Sequence, residues 1–104
     1  MSGVYYSFVR TENSNIAVLE SVYAMRILAI LLRDGPTFRS ILYQKVSKST
    51  NSPKARVDEL LEAGLLTEDV SQFPPLSKRI GLTEKGRRVA ELVAEMERIL
   101  EADD

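Results

Sequence analysis

Apolar residues recur every three or four positions from Ile16 to Arg33. Ile16, Leu19, Val22, Tyr23, Ile27, Ile30 and Leu31 carry the pattern. That spacing predicts a helix over 16–33, and its apolar character on more than one face predicts a central place for it. The helix should stop at "DGP", where Gly35 can take a left-handed turn and Pro36 cannot continue the ladder. Thr37 then offers an N-cap hydroxyl for a short second helix, with Phe38, Ile41, Leu42 and Val46 as its buried stripe. A third helix is expected with Ser52 as N-cap and Pro53 at the first helical position, where a missing N–H costs nothing. Its core face would be Val57, Leu60 and Leu61. Gly64 is placed to end it, with Leu65 folded back on Leu60.

Past Gly64 the helical period is lost. "LLTEDV" (65–70) is short and compatible with a strand, and "RIGL" (79–82) can return beside it. Between them "SQFPPLSKR" (71–79) holds two prolines that forbid regular pairing, so a hairpin with a long tip is expected. Phe73, Pro74, Pro75 and Leu76 in that tip could fold onto the core or form an exposed corner for a partner. Thr83 then caps a last helix, with Glu84 favourable at its positive end. Val89, Leu92, Val93, Met96, Ile99 and Leu100 run at three-four spacing to about Glu101, a length of roughly 27 Å at 1.5 Å per residue. The expected order is helix, helix, helix, hairpin, long helix, an α+β chain that is mostly α. It divides into an N-terminal arm, 1–15, and one domain, 16–104, whose last helix is 84–101. In the arm, "VYYSFV" (4–9) has strand-like character, and Tyr5, Tyr6 and Phe8 are costly to leave in water.

Composition narrows the chemistry. The 104 residues, 44% of them hydrophobic, suffice for one folded domain. There is no cysteine and no histidine. Disulfides, thiolate metal sites and His-activated nucleophiles are therefore excluded, and no cofactor or metal is implied. Neither carboxylate pairs nor any other constellation stands out as catalytic, so an enzyme is not expected. The start of the chain does not read as a signal peptide, and the longest apolar run, Ile27 to Leu32, is far too short to span a bilayer. A cytoplasmic protein with no membrane partner is the expectation.

The net charge of −1 conceals blocks of opposite sign. Residues 35–57 hold Arg39, Lys45, Lys48, Lys54 and Arg56 and no acid. Residues 58–69 hold Asp58, Glu59, Glu62, Glu68 and Asp69 and no base. Residues 78–88 turn basic again, through Lys78, Arg79, Lys85, Arg87 and Arg88 against Glu84, and 91–104 is acidic apart from Arg98. Such blocks can give a folded domain a positive and a negative side.

Three helices followed by a hairpin is the plan of a winged helix-turn-helix domain. "VDELLEAGLL" (57–66) resembles the end of a recognition helix running into the first strand of the wing. "IGLTEKGRRVAELV" (80–93) resembles the return strand and the helix after it. Together these segments are similar to transcription regulators of the MarR, ArsR and PadR types, over about residues 22–100. The resemblance implies duplex DNA as partner, with the third helix in the major groove and the wing on the backbone. Carried onto this chain, it places Lys48, Ser49, Thr50, Asn51, Ser52, Lys54, Ala55 and Arg56 at the turn and leading edge. Ser77, Lys78 and Arg79 fall on the wing, and Arg39 and Lys45 near the phosphates. Lysine and arginine there would neutralise phosphates and release counterions. Ser, Thr and Asn could bond phosphate or base edges, and Arg56 is placed to read guanine. Of the stripe Val89, Leu92, Val93, Met96, Ile99 and Leu100, part should pack on the first helix and the remainder could pair with its equivalent in a second subunit as the interface of a homodimer, while Arg87 and Arg88 would be ordinary surface residues. Two positions depart from the pattern. Lys48 and Pro53 stand where relatives usually carry apolar anchors, which implies a rearranged turn or a late helix start. The sequence shows no effector, operator or direction of regulation. The rival reading is a winged-helix module that binds protein rather than DNA, because a fold alone does not fix function.

Overall fold

The computed structural model describes residues 15–47, 51–70 and 78–102. The arm before residue 15 and the wing tip, 71–77, lie outside the described residues. A 3-10 helix, Asn15–Glu20, leads into α1 (Ala24–Asp34). A two-residue strand β1 (Thr37–Phe38) precedes α2 (Arg39–Val46). Then come α3 (Asn51–Glu62), β2 (Leu66–Val70), β3 (Lys78–Leu82) and α4 (Glu84–Glu101). The sheet is antiparallel in the order β1-β3-β2. Glu68 faces Ile80 across the β2–β3 pair, and Thr37 faces Ile80 from the other side.

α1 sits at the centre and touches the 3-10 helix, α2, α3, α4 and β3. Ile27, Leu28, Leu42, Pro53, Val57, Leu60 and Ile80 are fully buried where these elements meet. Among the described residues no polar or charged side chain is buried with them. Driving force and arrangement therefore agree: the broadly apolar helix is the one the others wrap.

Four sequence expectations are corrected. The helix expected over 16–33 is broken at 21–23, where Tyr23 takes a left-handed backbone with φ 74°. For a residue other than glycine this costs on the order of 1–2 kcal/mol. The ring is held in place by the next turn of α1 and by the end of α2. Its hydroxyl donates to Ser47 Oγ at 3.2 Å, and the Arg26 guanidinium lies 5.6 Å from the ring centre. Second, Thr37 is not a cap. It belongs to β1, and α2 starts after an extended Phe38 whose side chain makes no cap hydrogen bond. Third, Phe38 and Ile41 are not core residues; they are 41% and 39% exposed, and Leu42 and Val46 alone of the expected stripe are buried. Phe38 stands on a strand, so helical spacing does not apply to it. Fourth, Ser52 is not an N-cap, because α3 already begins at Asn51. Pro53 still lies within the first turn, where no N–H partner is lost.

The other boundaries agree with the sequence. Gly64, with φ 82°, closes α3: its N–H donates to Leu61 O at 3.1 Å and that of Leu65 to Leu60 O at 3.0 Å. This is the paired-bond helix ending that needs a left-handed residue. Leu65 and Leu60 join the same core. Thr83 caps α4 by accepting from the Gly86 N–H at 2.9 Å.

Candidate nucleic-acid interface

α2 and α3 form the helix pair, and the β2–β3 hairpin follows directly from the end of α3. Pro53 has a role the sequence did not suggest. It is fully buried and fills the place of the apolar anchor that the pattern lacks. The proline ring thus seats the start of α3 against the core. Lys54 and Ala55 beside it are exposed, as are Lys78 and Arg79 where β3 begins. Lys48, Ser49, Thr50 and Ser77 lie outside the described residues. Of Asn51 and Ser52 only their place in the first turn of α3 is described.

The described cations of the acid-free block, Arg39, Lys45, Lys54 and Arg56, each meet a carboxylate from outside it. Lys45 Nζ is 2.8 Å from Asp34, Lys54 Nζ is 3.3 Å from Asp58, and Arg56 Nη2 is 3.3 Å from Glu59. The Arg56 side chain is turned along the helix, and its buried Nε has no hydrogen-bond partner among the described residues. Arg39, expected near the phosphates, is the most engaged. Its Nε donates to Glu68 Oε2 at 2.8 Å and Nη1 to the Tyr43 hydroxyl at 2.7 Å, while Nη2 lies 3.2 Å from Asp58 Oδ1. Its side chain is only 25% exposed. Lys78 and Arg79, in contrast, have no carboxylate at ion-pair distance among the described residues.

These pairs set the ionisation of the acids. The hydrogen bond from Arg39 holds the Glu68 carboxyl below its ordinary value, against a smaller opposing effect of burial. Burial pushes the Asp58 carboxyl up, but hydrogen bonds and charge from Lys54 and Arg39 together outweigh it, and the result is again below the ordinary value. Asp34 is held far below the carboxylate range, first by its hydrogen bond from Arg33 and then by that from Lys45. All three are anionic at neutral pH.

The Arg39 cluster was not legible in the sequence, because its members come from α2, α3 and β2 with no shared period. A weak signal existed: arginine at a helix start, with acids in the two elements that would flank it. Among the described residues no group of three or more acids, histidines or cysteines could hold a metal ion, and no helix is long and apolar enough to cross a membrane.

The six positions expected at a dimer interface divide in two. Val93 is buried and Val89 half-buried against the domain itself. Leu92, Met96, Ile99 and Leu100 are exposed, Leu100 to 83%. A groove of about 670 Å³ runs between α1 and the second half of α4, lined in part by Met25, Ile30, Met96 and Leu100.

No protein-family model and no curated protein matches the sequence. Solved structures do match the fold. The transcriptional regulator YodB from B. subtilis, in its reduced form, superposes with a TM-score of 0.70 at 23% identity, over 83% of this chain and 84% of that one. AF1382 from Archaeoglobus fulgidus gives 0.66 at 21% identity, over 86% of this chain and 100% of the other. A MarR family transcriptional regulator from Silicibacter pomeroyi DSS-3 gives 0.64 at 21%, covering 94% of this chain and 65% of its own. The chain therefore has the winged helix-turn-helix fold seen in MarR family transcriptional regulators.

Proposed function

We propose that the protein is a homodimeric, sequence-specific DNA-binding transcription regulator without catalytic activity, with α3 in the major groove and the wing on the backbone. One observation carries the reading. The helix pair and hairpin stand in winged-helix order, and the exposed Lys78 and Arg79 at the root of the wing have no carboxylate at ion-pair distance among the described residues. Lys54 and Ala55 supply the exposed leading face of α3. The likeness to transcriptional regulators supports the same reading. The exposed apolar side of α4 supports the dimer, because Leu92, Ile99 and Leu100 gain most when a second copy covers them.

A second reading is favoured by the ion pairs. Arg39, Lys45, Lys54 and Arg56 already face carboxylates, so phosphate must displace an internal partner to use them. A surface with paired charges also suits a protein partner. Titration of the purified chain against a random-sequence duplex at several salt concentrations separates the readings. DNA binding should weaken steeply as salt rises, because counterions are released on binding. Absence of duplex binding at low salt would sink the regulator reading and leave the protein-binding module.

A further inference from the structure

We propose that Arg39 is a positioning residue that clamps the wing strand to the recognition helix. One guanidinium reaches three elements. Nε and Nη2 take both oxygens of Glu68 on β2, at 2.8 and 3.4 Å. Nη2 also lies 3.2 Å from Asp58 on α3, and Nη1 donates to Tyr43 one turn along α2. The planar, forked guanidinium suits this geometry, whereas a lysine ammonium has no such fork to hold both oxygens of one carboxylate. Among the described residues this is the one side-chain hydrogen-bonded tie between β2 and either helix of the pair, added to the apolar contact of Leu66 with the core.

The anchor of the clamp is itself fixed. Arg39 opens α2 immediately after β1, whose Phe38 is paired with Arg79 on β3. Main chain therefore holds Arg39 to the sheet while its side chain holds β2 and α3. Glu68 is the central residue of β2, two positions beyond the buried Leu66 and paired with the buried Ile80 of β3. Without the tie, the buried Leu66 and Ile80 would keep the inner part of the hairpin seated and β1 would still hold β3, but the end of β2 beyond Glu68 would lose its polar anchor to the helices. The clamp would then set the angle between wing and α3, on which simultaneous engagement of groove and backbone depends. Asp58 shares its carboxylate between Arg39 and Lys54, so the clamp also orients the exposed lysine on the leading face. The DNA consequence rests on the regulator reading; the clamp itself does not.

The experiment compares the full chain with Arg39→Gln, Glu68→Gln and the double variant, with thermal melts to establish that each folds. Hydrogen exchange without DNA is the first readout. Each single variant should exchange about tenfold faster at β2 and β3 amides, with α1 unchanged, and the double should match the singles. Equal acceleration in α1, or none in the hairpin, would overturn the clamp. Affinity is the second readout, for a duplex enriched from a random pool and for a scrambled duplex of equal length. Arg39→Gln should lower the ratio of the two affinities about tenfold and leave the salt slope on the scrambled duplex unchanged. Equal loss on both duplexes, with a slope flattened by about one per subunit, would instead make Arg39 a phosphate contact. If the wild-type chain binds no duplex, the regulator reading fails while the exchange result still judges the clamp.

Discussion

Thr83 makes four bonds at one corner of the fold. Its N–H donates to Leu65 O at 3.1 Å, its hydroxyl donates to Gly64 O at 2.7 Å, its hydroxyl oxygen accepts from the Gly86 N–H at 2.9 Å, and its carbonyl accepts from the Arg87 N–H at 2.8 Å. One residue thus closes the end of α3, the start of β2 and the first turn of α4. Thr83→Ala removes the cap and leaves the Gly64 carbonyl without its donor. A loss of about 2 kcal/mol is expected, at the upper end for caps, as a lower urea midpoint at unchanged slope. Gly86 shows why the junction is so close. A Cβ there would stand 1.9 Å from the Leu65 carbonyl oxygen, a backbone atom that cannot step aside as a side chain can. Gly86→Ala must push α4 off the sheet, and a loss above about 3 kcal/mol is expected, larger than that of the cap variant. The cap could be read from "LTEKG" because capping is a local rule. The close approach of Gly86 could not, because Leu65 lies 21 residues earlier and only the assembled fold brings it near.

The elements were legible where one local rule decided them, and not where a distant partner did. The end of α3 at Gly64, the two wing strands and the full span of α4 followed from periodicity and turn residues. The break at Tyr23 did not, because Ser47 and Arg26 stabilise a backbone that the local sequence disfavours. β1 is two residues long, too short for any period, and it exists because β3 offers it an edge. The charge blocks misled for the same reason. Residues 35–57 lack acids in sequence but receive Asp34, Asp58, Glu59 and Glu68 in space. Their ionisation gives an element-level prediction. Glu68 and Asp58 titrate below their ordinary values when folded, so the unfolded chain binds more protons through the acid range. Their stabilisation is fully present above the unfolded pKa of about 4 and is lost as pH falls through the depressed folded values. Arg39→Gln should therefore melt lower than wild type at neutral pH, and the gap should shrink toward pH 2 as Glu68 protonates in both. Melting followed by circular dichroism across pH 7 to 2 checks this; a constant gap would mean that the arginine stabilises by packing alone.

For the whole molecule the question is which surfaces the isolated chain leaves unfinished. At the wing, Lys78→Ala should flatten the log–log dependence of duplex affinity on salt by about one per subunit, since one phosphate contact is lost. Binding isotherms at four or five salt concentrations suffice, and an unchanged slope would remove Lys78 from the interface. At the other extreme lies α4. Its buried side is short, ending near Val93, yet the helix continues to Glu101 with Leu92, Met96, Ile99 and Leu100 exposed. A helix held by its own domain over one half has little reason to carry large apolar residues along the other. The adjoining groove against α1 is apolar through Met25 and Ile30, and Arg33, Glu97 and Arg98 at its edge are the kind of polar rim that stable interfaces have. Dimerisation through this side should therefore be sensitive to charge at its centre and tolerant of it at the edge. Ile99→Lys combined with Leu92→Lys should convert a dimer into a monomer in light scattering at micromolar concentration, with the helical signal of the domain retained. Glu97→Lys at the rim should leave the dimer in place. Because both changes add positive charge at the acidic end of the chain, they also test whether assembly rather than charge controls DNA affinity. The monomeric variant should bind an enriched duplex more weakly despite its added lysines, and stronger binding would show that a single domain suffices.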